Sequence, residues 1–149
     1  MNFFQCKISY EKITESGLQK KVTEPYLVDA LSFTEAEARI IEEVKPFIAG
    51  EFQIKAIAHY PVNEYFKSEE QGDFYFRAKV AFISLDERSG SEKQTKVNML
   101  IQASEIQEAK DILIEGMKGT LGDYKILEVK ETTIMNVFEY NKENEEEAE

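Results

Sequence analysis

The run Phe74-Tyr75-Phe76-Arg77-Ala78-Lys79-Val80-Ala81-Phe82 places Phe74, Phe76, Ala78, Val80 and Phe82 on one side of an extended chain. That period of two marks a strand with one buried face. It opens a segment, Phe76 to Phe138, that reads as a second copy of Phe4 to Phe66. At an offset of 72, Phe4 meets Phe76, Lys7 meets Lys79, Gly50 meets Gly122, Ile54 meets Ile126 and Phe66 meets Phe138. One extra residue at the first turn moves the offset to 73, pairing Gly17 with Gly90, Lys20 with Lys93, Leu27 with Leu100 and Ala30 with Ala103, and it falls to 71 at Ala38 and Ala109. The identities are sparse, so the duplication rests mainly on a shared order of strand, turn, strand, helix, strand. Two similar halves arising by coincidence would show the same order.

Working outward, Phe4, Cys6, Ile8 and Tyr10 alternate with Gln5, Lys7, Ser9 and Glu11 in a first half-buried strand. Glu15-Ser16-Gly17 supplies a turn, and a second strand runs from about Gln19 to Ala30 with Val22, Tyr26, Val28 and Ala30 in phase. Pro25 has no N–H to donate, which predicts a sheet edge or a bulge there. Ser32 or Thr34 opens a helix through capping-box spacing, with Ile40, Ile41, Val44, Phe47 and Ile48 on its apolar stripe. Pro46 ends or kinks it near Val44. A third strand spans Phe52 to Ile57, the Tyr60-Pro61 step breaks it before Val62 to Phe66, and Lys67 to Gly72 reads as the linker between the halves. In the second half a hairpin turns at Asp86 to Ser91, and Ser104-Glu105-Ile106-Gln107 reads as a further capping box. A helix carrying Ile106, Ala109, Ile112, Leu113 and Met117 then stops between Gly116 and Gly122, and Tyr124 to Val129 and Ile134 to Tyr140 form one bent strand or two short ones. The expected fold class is α+β: a single domain over residues 1–140, made of two strand-strand-helix-strand pseudo-repeats, about 4–66 and 76–138, in mainly antiparallel sheet with two helices.

Composition sets limits. The 149 residues carry a net charge of −11, of which residues 141–149 account for −4 through five Glu against one Lys, leaving −7 for the rest. An acidic body disfavours binding to a phosphate backbone, so nucleic acid is not an expected partner. The Glu-rich end has no apolar residues to bury and is expected to be a disordered tail. No run approaches the about 20 apolar residues of a membrane span, and no basic segment with an apolar stretch stands at the N-terminus, so a cytoplasmic setting is expected. Cys6 is the one cysteine and His59 the one histidine, which leaves no disulfide and no thiolate or imidazole metal set. Neither a metal nor a cofactor is expected. Cys6 alternates with Phe4 and Ile8, as a buried structural thiol does.

Three features are candidates for chemistry. In Gly116-Met117-Lys118-Gly119-Thr120-Leu121-Gly122, the backbone of Gly116 and Gly119, the Lys118 ammonium and the Thr120 hydroxyl suit an anionic ligand. The segment follows a helix where a phosphate loop would open one, so its plain alternative is a helix C-terminus. Lys7, Lys20, Arg77, Lys79, Lys93 and Lys96 form the second set, with Lys7 and Lys20 copied at Lys79 and Lys93; they make either two related cationic patches or a solvated strand face. The third is an aromatic group, Tyr60, Tyr65, Phe66, Phe74 and Tyr75, read as core and subunit interface. Nothing resembles a nucleophile elbow or a histidine dyad.

The segments Gly17 to Ala30, Phe33 to Ala38 and Glu115 to Thr120 resemble a family of small acidic proteins of gut bacteria and their phages, known only as a domain of unknown function. The resemblance covers most of the chain and implies a cytosolic bacterial or phage setting, with no activity and no catalytic residues. Two function classes follow. The first is a non-catalytic binding or adaptor protein, its ligand a host protein or a small anion such as a nucleotide, working as a homodimer. The second is an enzyme using carboxylates and Lys118.

Overall fold

The structure, a computed structural model, describes residues 2–140. The acidic tail expected at 141–149 lies outside the described residues. Among the described residues, eight strands and two helices follow in order as β1 (Phe3–Ile13), β2 (Gln19–Asp29), α1 (Phe33–Val44), β3 (Phe52–His59), β4 (Glu64–Phe66), β5 (Phe74–Leu85), β6 (Glu92–Ala103), α2 (Ile106–Gly116), β7 (Asp123–Glu131) and β8 (Val137–Phe138). They make two four-stranded sheets, ordered β3-β1-β2-β8 and β4-β6-β5-β7. All pairings are antiparallel except β2 with β8 and β4 with β6. The fold class is α+β.

The chain divides into two compact units, one holding the residues up to Pro61 and from Thr133, the other Val62–Thr132. The boundary therefore falls at Pro61, ahead of the expected 67–72 linker, and the chain crosses it a second time at Thr132. As a result β4, which follows β3 in sequence, pairs with β6, while β8, which follows β7, pairs with β2. Phe66 lies beside Ile101, and Phe138 beside Val28. Residues 67–72 are docked: Ser68 is buried, and a Cβ on Gly72 would come within 2.2 Å of the Ala103 carbonyl carbon.

In the first unit the even residues of β1 face α1, so that Phe4, Cys6 and Ile8 pack with Tyr26, Val28, Ala36, Ile40, Val44 and Ile48. Ser32 caps α1, its Oγ accepting from the Glu35 N–H at 3.1 Å, and the helix ends at Val44, two residues before Pro46. Pro25 sits in an inner strand whose pairing with β1 runs without a register shift, so neither the edge nor the bulge expected there is found. Its C=O accepts from the Met135 N–H and the next residue on that side, Leu27, donates to Asn136 O. The missing N–H thus points past the two-residue β8, where no ladder exists to break.

The second unit packs Phe76, Ala78 and Val80 with Met99, Ile101, Ala103, Ala109, Leu113 and Met117. Burial puts Ala36, Ile40 and Val44 in correspondence with Ala109, Leu113 and Met117, an offset of 73; Ala38, aligned with Ala109 on sequence, is exposed. The expected capping box is also absent. Glu105 is the N-cap of α2 and makes no side-chain cap, whereas Ser104 Oγ donates to Glu108 Oε2 at 2.5 Å and Ser68 Oγ to Glu108 Oε1 at 3.1 Å. Those bonds, Ser104's first, hold the Glu108 carboxyl below its ordinary range.

Candidate functional site

The glycine-rich segment closes α2. Met117 N–H donates to Leu113 O at 2.9 Å, Lys118 N–H to Glu115 O at 3.2 Å and Thr120 N–H to Met117 O at 3.1 Å, so these amides satisfy the helix's own last carbonyls. Gly119 holds φ +86°, the left-handed cap conformation that L side chains resist, and a Cβ on Gly116 would come within 2.5 Å of the Phe66 ring. The Lys118 ammonium pairs with Glu115 at 2.6 Å in solvent.

The four hairpin lysines do not converge. Lys7 stands opposite Pro25 while Lys20 stands opposite Lys12. Five residues separate Lys7 from Lys12, which sets Lys7 and Lys20 on opposite sheet faces about 17 Å apart along the strands. Lys79, opposite Asn98 and Glu128, and Lys93, opposite Ser84, repeat this divergence. Of the aromatic group, Tyr60 belongs to the first unit and the other four to the second. Tyr75 is buried there, and Phe66 packs on the core.

A different cluster gathers in the first unit. Glu24 is 9% exposed and faces α1 from β2, opposite Ile8. The Tyr10 hydroxyl on β1 donates a short hydrogen bond to its Oε1. Burial, then that bond and the Glu24 charge, push the Tyr10 hydroxyl above its ordinary pKa, and burial followed by Glu24 does the same to Tyr26. Cys6 beneath them is pushed up to about 12 by burial alone, which keeps it a thiol at neutral pH and unsuited to nucleophilic work. The Tyr26 ring stacks on Phe138 at 6.1 Å, and the exposed Phe47 ring lies 6.3 Å from Phe138. The sequence carried a signal for this cluster. Glu24 falls in phase with Val22, Tyr26 and Val28, a carboxylate on an apolar strand face.

Tyr10 also lines a concavity of about 840 Å3 together with Ser9, Glu11, Lys21 and residues 49–53. Glu11 and Lys21 are directly opposite on β1 and β2, so their charges offset one another across the strands. Ser9 is 3% exposed, and its Oγ is buried with no hydrogen-bond partner among the described residues. A buried hydroxyl in that state costs about 1–3 kcal/mol. Tyr10 and Glu24 thus bring a phenol and a carboxylate together on the helix-side face of the β1–β2 hairpin, while Ser9, one residue before Tyr10, places its hydroxyl on the other face. Among the described residues, no three His, Cys, Asp or Glu side chains are grouped as a metal would need.

A family model described as Domain of unknown function (DUF4494) matches residues 2–140. No curated protein matches the chain.

Proposed function

Because the chain belongs to the DUF4494 family, whose description names no activity, we propose that it is a non-catalytic binding protein whose recognition site is the concavity beside Ser9, Tyr10 and Glu24. The observation that carries this reading is the same place in the second unit. The β1–β2 register sets Ile8 opposite Glu24 and Cys6 opposite Tyr26, and the β5–β6 register sets Val80 opposite Val97 and Ala78 opposite Met99. Both central strands also carry a register shift against their outer neighbours, between Lys7 and Ile8 in one and between Lys79 and Val80 in the other. Under that correspondence Ser9, Tyr10 and Glu24 occupy the places of Ala81, Phe82 and Val97. The architecture is built with three apolar residues in one unit and with three polar ones in the other. Polar groups placed at a cost in a fold that has no need of them point to use by a ligand. The concavity is of the size that takes a small molecule or the side chains of a protein partner, and its polar groups suit a hydrogen-bonding one.

The proposal extends to origin and setting: an internal duplication in which one copy kept a binding role, in a cytoplasmic protein of bacteria or their phages. No helix among the described residues is long and apolar enough to cross a membrane. The test is a thermal-shift screen of polar metabolites and nucleotides against the wild type and the triple variant S9A/Y10F/E24V, which copies the second unit. A ligand that raises the melting temperature of the wild type but not of the variant supports the reading. Ligands that stabilise both equally, or none at all, overturn it.

A further inference from the structure

The outer strands β3 and β7 occupy corresponding edges of the two sheets, each flanked by one neighbour, β1 or β5. Their edges differ in one respect that decides what they tolerate. β7 carries Asp123, Lys125, Glu128, Lys130 and Glu131, five charges in nine residues, whereas β3 carries Lys55 alone in eight. On the face turned away from the helix, β3 presents Gln53, Ala56 and Ala58, which pair with Ser9, Lys7 and Gln5 of β1. At the corresponding places β7 presents Lys125, Glu128 and Lys130. Charged side chains are a usual means by which an edge strand resists pairing with another chain. β7 has that protection and β3 does not.

On its helix side the start of β3 borders a second concavity, of about 580 Å3, lined by Glu37, Ile41, Phe52, Gln53, Ile54 and Lys55. Two aliphatic side chains and a phenyl ring are set there between one acid and one base. A surface with one charge of each sign beside an apolar centre is complementary to itself. With an acid and a base both on its rim, such a surface can meet its own copy about a twofold axis in a register that sets Lys55 of each chain against Glu37 of the other.

We propose that β3 is a docking edge for a second copy of this chain, pairing the two β3 strands into one continuous sheet. The edge runs the eight residues Phe52–His59, enough for a ladder of backbone hydrogen bonds. The edge shares Phe52 and Gln53 with the wall of the ligand concavity, whereas the polar groups of the ligand reading, Ser9, Tyr10 and Glu24, lie on β1 and β2.

Light scattering after size exclusion tests it. The full chain at high micromolar concentration is expected at twice its 17.2 kDa mass, and A56E/A58K, which gives β3 the residues of β7, at the monomer mass with an unchanged far-UV spectrum. Charge reversal supplies the second arm. E37K and K55E alone should each weaken the dimer roughly tenfold by creating like-charge contacts on both sides of the axis, and E37K/K55E should restore it. A monomeric wild type overturns the proposal. So does a dimer indifferent to A56E/A58K, or one that the double reversal fails to restore.

Discussion

The two units solve one packing problem with different chemistry. Each lays a helix of eleven or twelve residues across a strongly paired hairpin, and each buries a small residue followed by two larger ones at four-residue spacing: Ala36, Ile40 and Val44, or Ala109, Leu113 and Met117. The second unit fills the adjoining sheet face with Phe82, Val97 and Met99, where the first places Tyr10, Glu24 and Tyr26. A buried carboxylate bonded to a phenol is therefore not what the architecture requires. It is a departure confined to one unit, and removing it by copying the other unit is a natural experiment on what it is for.

The largest effects should come from what the units share. Ile40 and Leu113 are both fully buried at the centre of their clusters. Truncation to alanine removes transfer free energy and leaves a cavity, costing about 3 kcal/mol at either site. Chemical denaturation of I40A and L113A measures this. A loss below about 1 kcal/mol at one site only would break the equivalence of the two cores.

Next in size is the polar pair, where the comparison predicts opposite signs. Y10F leaves Glu24 buried without the phenol that donates to it, and should destabilise by about 2 kcal/mol. Adding E24V completes the apolar arrangement of the second unit and should recover most of that loss, because replacing a buried polar pair by apolar residues of suitable shape is often neutral or better. A double-mutant cycle reads the coupling. Additive losses would mean that the two side chains do not act together.

The same difference makes the first unit sensitive to alkali. Tyr10 and Tyr26 have folded pKa values raised above the ordinary 10.0, and Cys6 rises from 9.0 to about 12. For groups raised in the folded state, the stabilisation is fully present below the unfolded pKa and is lost as pH climbs toward the folded one. Stability should thus fall from about pH 9 upward. The corresponding residues Phe82, Met99 and Ala78 do not titrate in this way. Urea midpoints between about pH 8 and about pH 11 should drop less steeply in C6A/Y10F/E24V than in the wild type; equal slopes would place the alkaline sensitivity elsewhere.

Period and punctuation made most of the fold legible. The hairpins, both helices and the stop at Pro46 follow from alternation, 3.6-residue stripes and proline chemistry, all of which act within a few residues. The exchange of β4 and β8 was hidden because a two- or three-residue strand carries too little pattern to say which sheet it joins. The site was less legible for a related reason. Lys118, Thr120 and the hairpin lysines stand out by residue type alone, whereas Tyr10 and Glu24 become a pair only once the register sets β1 against β2. Glu24 stood in phase with three apolar residues, and that mismatch, rather than a motif, was the available signal.

The smallest effect sharpens the comparison at the helix starts. Ser32 at the N-cap of α1 bonds the Glu35 N–H, while Glu105 at the N-cap of α2 makes no such bond and leaves the first-turn donors of α2 without a side-chain cap. Serine accepts from these donors with a short side chain, which glutamate reaches less well, and a cap is worth about 1 kcal/mol. S32A should therefore lose about 1 kcal/mol, and E105S should gain a few tenths up to about 1 kcal/mol. The gain is bounded because Glu105 already contributes a negative charge near the positive end of the helix dipole, which serine would remove. Ser104 should be left alone in this test, since it holds Glu108 together with Ser68. Thermal denaturation at two salt concentrations separates the contributions, because the dipole term is screened and the hydrogen bond is not. An E105S variant less stable than the wild type at high salt would show that the start of α2 is satisfied in another way.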